Sequence, residues 1–558
     1  MARPPAGENP ENVNNSANPA AGAVTAARLD RLVANRWASR LSRRDLSLFS
    51  PARDAAIARL IAQRLGWLTA PAGMGRQAEA ATALAREVQR DQLSEVYLLG
   101  MGGSSLGAEV LRDVAAGDDA ACRLVVLDTT DERAVRHATE SLAPERALFL
   151  VASKSGSTVE VSALERHFWS EMHGVKNVGR HFVAITDPNS PLVDLAGERG
   201  YRQAFENPAD IGGRYSVLSL FGLVPAALLG LDTARLLKDA TGMAEACETD
   251  AAGNPALALG AFMAAQAETG RDKLTLLLPP RLAPLGAWIE QLVAESTGKD
   301  GRGVLPVVGE PLGEAAEYDA DRAFVVVLTP DTGDLDASAR TLESAGHPVH
   351  RIVTTAASIG SEFFRWEFAT AIAGAALGIN PFDEPNVRAA KDRTAAQLDA
   401  WRRTGSFRLD PPLAQHQGYG RRECGVPPAG AGRYLALLDY LPTDWRRPTI
   451  IERLRGAVRR RTRLATTYGI GPRYLHSTGQ YHKGGPNTGT FVLLTGADAS
   501  MTPVPGSDYS FSELKQAQAL GDFDALAAAD RHVIHYHLED LAADYSKALE
   551  RILEQLRA

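Results

Sequence analysis

The sequence predicts an α/β fold with two doubly wound parallel sheets, preceded by a helical segment and followed by an α+β region. Short runs that are apolar at every position alternate with helical stretches, and this alternation occurs twice along the chain. The apolar runs end in Gly, Ser, Asp or Pro turns, which is typical of strands covered by helices on both faces. At 558 residues the chain is also too long for one ordinary core.

The segment before the first sheet has two parts. Residues 1–25 are rich in Ala, Asn and Pro and have no apolar stretch of the kind found in secretory signals, so we expect a disordered tail there. Residues 26–92 have helical periodicity, for example at 54–68, where apolar residues recur at intervals of three and four. This helical segment is expected to pack on the domain that follows.

Two α/β domains are expected at residues 93–254 and 255–395, and a third region at 396–558. The predicted strands are 96–99, 124–127, 147–151 and 182–185 in the first domain and 274–278, 324–328 and 349–353 in the second. The third region shows no clear α/β repeat. It has a Pro/Gly-rich stretch at 411–432, then helices, a short strand at 491–495 and a final helix ending near Leu556. We expect it to pack on the two α/β domains.

Composition limits the partners that the protein can have. A net charge of -7 gives no basic field for nucleic acid, and no apolar run approaches the roughly 20 residues of a membrane-spanning helix. The cysteines Cys122, Cys247 and Cys424 are far apart and odd in number, which favours reduced thiols and a cytoplasmic location. A small phosphorylated metabolite, held by a local site, fits these limits.

Two loops that follow predicted strands are candidates for holding an anion. Gly103 and Ser104 lie in the glycine-rich segment 100–107, where backbone N–H groups and a helix N-terminus favour negative charge. The segment meets the dinucleotide fingerprint only in part, and a plain tight turn explains it equally well. The second loop, 153–158, is the stronger candidate because four hydroxyls and an ammonium group lie within six residues, whereas helix capping accounts for one hydroxyl. Its candidate phosphate ligands are Ser153, Lys154, Ser155, Ser157 and Thr158.

Two further motifs carry groups suited to proton transfer. Arg214 follows a glycine pair and could stabilise a developing oxyanion. Glu295 precedes a Ser-Thr-Gly break at the end of a helical stretch, where burial could raise its basicity. A lone glutamate on a helix is usually a solvated surface residue, so Glu295 gains weight only in combination with the other motifs.

These motifs, together with Pro381-Phe382-Asp383 and Lys391, resemble the glucose-6-phosphate isomerase family with its sugar isomerase (SIS) fold. The similarity is in particular to the isomerase half of bacterial transaldolase and glucose-6-phosphate isomerase fusion proteins, from about residue 30 onward. The resemblance implies two SIS domains and an isomerase of glycolysis and gluconeogenesis. It also implies interconversion of glucose 6-phosphate and fructose 6-phosphate through a cis-enediolate, without a metal or an organic cofactor.

The resemblance also implies residue roles. Ser104 and the 153–158 loop would bind phosphate, Arg214 would steady the enediolate, Glu295 would move the proton between C1 and C2, and Lys391 would assist ring opening. Two positions depart from the family pattern. Glu362 stands where the family has a ring-opening histidine donated across a dimer, and Glu384 stands where it commonly has glutamine.

Several interpretations stay open at this point. His476 or His482 could supply the missing imidazole, or both could simply hydrogen-bond in a surface loop. A homodimer is possible and a monomer is not excluded. Mannose 6-phosphate could be a second substrate, and a sugar-phosphate sensor without turnover is the alternative from another functional class. A zinc site at His532, His535 and His537 is disfavoured because His535 and His537 share one strand face in an alternating segment.

Overall fold

The structure is a computed structural model that describes residues 19–115, 121–330, 332–416, 419–445, 448–541 and 550. The N-terminal segment contains helices α1 Pro19–Ala34, α2 Trp37–Ser42, α3 Ala55–Ala62, α4 Ala70–Gly73 and α5 Gly75–Arg90. Helix α1 begins inside the predicted tail, residues 1–25, so that boundary was wrong. The alanine-rich sequence of α1 favours helix, and Gln266 Nε2 donates hydrogen bonds to Ala21 O and Thr25 Oγ1. Residues 1–18 lie outside the described residues.

The first α/β domain is built on a parallel sheet with the strand order β2-β1-β3-β4-β5. Its strands are β1 Glu95–Gly100, β2 Arg123–Leu127, β3 Ala147–Ala152, β4 Phe182–Thr186 and β5 Gln203–Glu206. Its helices are α6 Leu106–Ala115, α7 Glu132–Glu140, α8 Val159–Glu171 and α9 Pro191–Glu198. The predicted strands of this domain lie in β1 to β4, which confirms them. The sequence did not predict β5 because it is short, partly polar and has only one buried residue.

Three helices connect this sheet to a second parallel sheet with the order β7-β6-β8-β9. The connecting helices are α10 Leu220–Leu228, α11 Thr233–Cys247 and α12 Pro255–Glu268. The second sheet consists of β6 Lys273–Leu277, β7 Leu305–Val307, β8 Arg322–Leu328 and β9 Val349–Val353. Its helices are α13 Ala283–Thr297, α14 Gly333–Ser344, α15 Ile359–Ala376 and α16 Pro385–Thr404. The mixed α/β architecture with two parallel sheets is therefore confirmed.

The C-terminal region contains a third sheet, with the order β10-β11-β15-β14-β12-β13. Its strands are β10 Ala414–His416, β11 Tyr419–Cys424, β12 Tyr434–Asp439, β13 Ala465–Ile470, β14 Gly489–Gly496 and β15 His532–Leu538. Its helices are α17 Pro448–Thr462, α18 Gly479–Gly484 and α19 Phe511–Ala528. Strands β12 to β15 pair in parallel, whereas β11 pairs antiparallel with β10 and β15. The expected strand at 491–495 lies in β14, while most of the final helix predicted near Leu556 falls outside the described residues.

The first sheet brings the two anion-binding candidate loops together. Strand β1 pairs with β2 on one side and with β3 on the other, so the strand order reverses there. Ligands of open α/β sheets bind outside the carboxyl ends of the strands at such a reversal. The 100–107 and 153–158 loops follow β1 and β3 at this edge. Among the helices that the structure describes, none has the length and apolar character needed to cross a membrane.

Candidate active site

A cavity of about 350 Å³ lies at this edge, lined by residues of both α/β domains and of the C-terminal region. This volume is typical of small-molecule sites. Its polar lining consists of Arg64, Ser104, Lys154, Ser155, Thr158, Asp187, Arg214, Tyr215, Gln291, Glu295, Glu384, Lys391 and His476. The structure thus brings together most of the candidate residues that the sequence identified.

One end of the cavity is built from the 153–158 loop. Lys154, Ser155 and Thr158 line the cavity directly. Ser153 and Ser157 do not line the cavity but contact residues that do. Ser153 Oγ is 3.0 Å from Thr158 Oγ1, and Ser157 Oγ donates to Ser155 Oγ at 3.2 Å. Thr158 is the N-cap of α8, yet its hydroxyl makes no capping hydrogen bond in the described structure. The N-terminus of α8, the Lys154 ammonium group and the hydroxyl groups of the loop therefore lie together, and this arrangement favours an anion.

Lys154 has a partner that the sequence did not reveal. Its ammonium group is ion-paired with Asp187 and also donates to Ala209 O at 3.2 Å. Burial lowers the pKa of Lys154 and raises the pKa of Asp187, and their mutual attraction opposes both shifts. Arg64 supplies a second cation to this end of the cavity. A bound phosphate would compete with Asp187 for Lys154.

The glycine-rich loop contributes close backbone packing rather than side-chain bonds. A Cβ atom added at Gly103 would lie 2.0 Å from Gly213 O, so only glycine lets this loop touch the segment that carries Arg214. Gly102 has a φ of +56° and lies close to Gln291 and to the backbone of His476. Ser104 faces the cavity. The loop therefore fixes the spacing between the anion end and the other half of the site.

Arg214 lies at the centre of the site and is 5% exposed. Its Nε donates to Ser296 Oγ at 2.9 Å, and its Nη1 lies 3.3 Å from Glu295 Oε1 and 3.1 Å from Glu384 Oε2. The guanidinium is thus fixed in a buried position between two carboxylates. A fixed cation of this kind stabilises negative charge that develops on a bound substrate.

Glu295 is held at the end of α13 by two neighbours. Arg214 contacts Oε1, and Gln291 Nε2 donates to Oε2 at 3.2 Å from one helical turn earlier. Burial raises the pKa of Glu295 above its ordinary value, and the Arg214 charge opposes the rise. The result is a buried carboxylate of raised basicity beside a cation, which is an arrangement suited to removing a proton from carbon.

The connection between α15 and α16 supplies the next two residues. Glu384 is the N-cap residue of α16 and its half-exposed carboxylate pairs with Arg214. Lys391 lies on the same helix, is exposed and lines the cavity. Both sequence-predicted residues are therefore at the site.

His476 enters the cavity from the C-terminal region, at the end of a short helix at Arg473–His476. Its Nε2 lies 3.0 Å from Glu160 Oε1, and Gln518 Nε2 donates to the same carboxylate oxygen at 2.7 Å. The His476 carbonyl accepts a hydrogen bond from Gln291 Nε2 at 2.8 Å. The imidazole is thus oriented by a buried carboxylate while its backbone contacts the helix of Glu295.

The structure does not bring His482 or Glu362 to the cavity. His482 is 1% exposed among Tyr434, Tyr474 and Phe491, and neither ring nitrogen has a hydrogen-bond partner among the described residues. Glu362 is buried on α15 and lies 3.2 Å from Arg365 Nη2. The sequence shows neither the direction of an α18 side chain nor that of an α15 side chain, and in the structure both residues are buried away from the cavity of their own chain.

Nothing in the described part of the chain groups three or more His, Cys, Asp or Glu side chains as a metal site would. His535 and His537 both contact Thr495 Oγ1, at 2.7 and 2.9 Å, and His532 pairs with Glu423. These histidines belong to the packing of the third sheet.

Known proteins resemble this chain over more than half of its length. The family model described as phosphoglucose isomerase matches residues 85–304. A glucose-6-phosphate isomerase of Rubrobacter xylanophilus is 31% identical over 410 residues, which cover 64% of this chain and 94% of the relative. A glucose-6-phosphate isomerase of Thermus thermophilus is 28% identical, and the match covers 63% of this chain and 96% of the relative.

Two solved structures share the fold of this chain. A hypothetical protein from Thermus thermophilus superposes with a TM-score of 0.53 at 26% identity, covering 64% of this chain and 98% of that one. A glucose-6-phosphate isomerase from Chlamydia trachomatis superposes with a TM-score of 0.53 at 19% identity, over 69% and 86% of the two chains, and shows the shared fold. The Rubrobacter relative, which is 31% identical and is matched over 94% of its length, shows that the chain belongs to the phosphoglucose isomerase family.

Proposed function

We propose that the protein interconverts glucose 6-phosphate and fructose 6-phosphate, with Glu295 as the base and without a metal or organic cofactor. The observation that carries the proposal is the buried Glu295 carboxylate, with a raised pKa, 3.3 Å from the buried guanidinium of Arg214. The cavity that holds this pair is also lined by Lys154, Ser155 and Thr158. A phosphorylated sugar would meet both features at once.

The chemistry follows from the charges. Glu295 takes the proton from C2 of the open-chain aldose while the electrons of the C1 carbonyl move to O1, which gives the cis-enediolate. The proton is then delivered to C1 and the hydroxyl proton of O2 passes to O1, so that C2 becomes the carbonyl carbon. A C–H bond beside a carbonyl is a weak acid, so the reaction needs a cation fixed where the negative charge develops. Arg214 is that cation, because its contacts with Ser296 and Glu384 hold it in place before substrate arrives. Ser104 and the 153–158 loop hold the phosphate.

Ring opening is assigned to Lys391 and His476. Both line the cavity, and the contact of His476 with Glu160 orients its ring. An imidazole can take a proton from one sugar oxygen and return it to another near neutral pH. Glu384 takes no proton in this scheme; its carboxylate restrains Arg214.

The test compares wild type with Glu295→Gln for conversion of fructose 6-phosphate in the presence of a chelator. Wild-type activity is expected to survive the chelator, and the variant is expected to lose roughly 10²- to 10⁴-fold in kcat because the general base is gone. The wild-type kcat/KM should fall on acidification at a pH above the usual carboxyl range, since Glu295 is active only when deprotonated.

Binding of phosphosugar without any wild-type turnover would contradict the proposal and favour a sensor. An assay with mannose 6-phosphate in parallel tests a broader substrate range. Equal activity on both aldose phosphates would contradict strict glucose specificity.

We further propose that one chain carries a complete site and that the enzyme acts in the cytoplasm. The cavity residues come from both α/β domains and from the C-terminal region of the same chain. Cys122 and Cys247 are buried and free, which is compatible with a reducing compartment.

A further inference from the structure

Lys299 belongs to the Glu-Ser-Thr-Gly-Lys segment, yet the proposed mechanism gives it no role. It lies two residues beyond the end of α13, after the C-cap residue Gly298, and is 3% exposed. Its Nζ donates to Asn380 O at 2.6 Å and to Asp383 Oδ1 at 2.8 Å. Burying an ammonium group is costly unless it is paired and hydrogen-bonded, so these two acceptors are what keep Lys299 charged inside the protein.

Both acceptors of Lys299 lie on the connection between α15 and α16, residues 380–384, which we name the 380–384 turn. Arg214 holds the same turn by a second set of bonds. Its Nη2 donates to Pro381 O and to Asp383 O, each at 2.9 Å, and its Nη1 contacts Glu384. The buried side chains of Lys299 and Arg214 therefore both bind the 380–384 turn, through three backbone carbonyls and two carboxylates in total.

The other end of Lys299 is fixed to the helix that carries the base. Its backbone N–H donates to Thr297 O at 2.9 Å, and Arg302 N–H donates to Lys299 O at 2.9 Å. A Cβ atom at Gly298 would lie 2.4 Å from Tyr481 Cα, so the chain leaves α13 through a passage that admits only glycine. Lys299 is thus a rigid extension of the element on which Glu295 lies.

We infer that Lys299 is a positioning residue, which sets the distance between Glu295 on α13 and the 380–384 turn with its attached helix α16. Through this turn it places Glu384 against Arg214 and aligns the helix of Lys391 with the cavity. Its amine stays bound to the turn and does not act on the substrate. The inference rests on the proposed isomerase function.

The charge of Lys299 is expected to matter as well as its length. Arg214, Asp383 and Glu384 face its ammonium group, and Glu295 lies within electrostatic range. Burial, reinforced by Arg214, lowers the pKa of Lys299 to about 8, while Asp383 and Glu384 oppose the shift. As the pH rises through about 8, the amine loses its charge and its hold on Asp383 weakens. Removing this charge also removes a group that lowers the pKa of Glu295.

The experiment measures kcat, KM and the pH profile of fructose 6-phosphate conversion for wild type, Lys299→Met and Lys299→Arg. Lys273→Met is the matched control, since Lys273 is another fully buried lysine of the second domain, paired with Asp272 and absent from the cavity lining. Melting temperatures of all four proteins separate stability from positioning.

We expect Lys299→Met to lower kcat by roughly tenfold to a hundredfold with a smaller change in KM, because misplacement affects the transition state most. Its acid limb should move to higher pH, and the decline of wild-type kcat above about pH 8 should be absent. Lys299→Arg should recover part of kcat and move that decline to higher pH, because a guanidinium stays charged. Lys273→Met should lower only the melting temperature.

Three results would overturn the inference. Lys299→Met could have the kcat and pH profile of wild type, Lys299→Arg could share the wild-type alkaline limb, or Lys273→Met could lower kcat as strongly. If Lys299→Met does not fold, the inference is still tested by Lys299→Arg, through the pH at which its kcat declines on the alkaline side. Absence of wild-type turnover would instead refute the proposed function.

Discussion

His476 and His482 lie in the same segment of the C-terminal region but in opposite surroundings. The His476 ring faces the cavity and contacts Glu160, whereas His482 is enclosed by aromatic rings. Burial lowers the pKa of His482 well below its ordinary value, so this ring is neutral in the folded protein. One histidine is therefore suited to proton transfer and the other to packing.

Replacing His476 tests the ring-opening assignment. We expect His476→Asn to lower kcat for glucose 6-phosphate by roughly 10²-fold, because asparagine can hydrogen-bond to Glu160 but cannot carry a proton. Steady-state kinetics with both sugar phosphates would show the loss. Unchanged kcat in a correctly folded variant would remove His476 from the mechanism.

His482→Phe is the matched control and carries a prediction of its own. Activity should stay near wild type, because the ring lies outside the cavity lining. In the unfolded chain His482 takes up a proton below its ordinary pKa of 6.5, whereas in the folded protein it does not. Each pH unit below 6.5 therefore costs wild type about 1.4 kcal/mol of stability that the phenylalanine variant keeps. The difference in melting temperature between the two proteins should grow as the pH falls from 7.5 to 5.5, and a constant difference would contradict this account.

The sequence predicted the residues of the site that lie in compact motifs and missed those that do not. A neighbouring glycine or strand end identified Arg214, Glu295 and the 153–158 loop as candidates in the sequence. Asp187 lacks such a context and reaches the site by folding alone. Gln291 had a usable signal, since it precedes Glu295 by one helical turn on the same face. Glu160 had none, because its partner His476 is 316 positions away in the sequence.

At the scale of elements, apolar runs predicted four of the five strands of the first sheet and three of the four strands of the second, but only β14 of the six described strands of the C-terminal sheet. Strands β1 and β3 are buried at every position, so they appear as continuous apolar segments. Strand β13, Ala465–Ile470, contains two threonines, a tyrosine and a glycine, and β15 alternates histidines with apolar residues. Their burial depends on partners such as Thr495 for His535, which the local sequence does not show.

The contact between the glycine-rich loop and the Arg214 segment gives a prediction at this scale. Gly103→Ala places a methyl group 2.0 Å from Gly213 O, so the two backbones must separate. We expect kcat/KM to fall by roughly 10²-fold, because the anion end of the cavity and Arg214 lose their spacing. Gly197→Ala is the control, since that exposed position in α9 has no heavy atom within 4 Å of an added Cβ. It should keep full activity and gain up to about 1 kcal/mol of stability. A fully active Gly103→Ala enzyme would show that this spacing does not matter.

At the scale of the whole molecule, the C-terminal region is anchored to the first α/β domain by buried charges. Lys515 Nζ lies 2.8 Å from Asp131 Oδ2 and 2.6 Å from Asp498 Oδ1. Arg473 Nε lies 3.1 Å from Asp128 Oδ2, three residues before His476 in the chain. Such buried pairs are sensitive to geometry, so they specify how the region docks rather than adding much stability. The docking places His476 in the cavity.

This docking bears on whether activity requires a second chain. Arg214, Lys391, the proposed base Glu295 and His476 all line the cavity of one chain, so activity per chain should not depend on self-association. We expect the specific activity to stay constant when the enzyme is diluted from micromolar to sub-nanomolar concentration, with mass photometry reporting the fraction of monomer. Arg473→Met offers a contrast, since loss of its pairs with Asp128 and Glu109 should loosen the His476 loop and lower kcat equally at every concentration. A fall in wild-type activity that follows dissociation of a dimer would show instead that a partner chain completes the site.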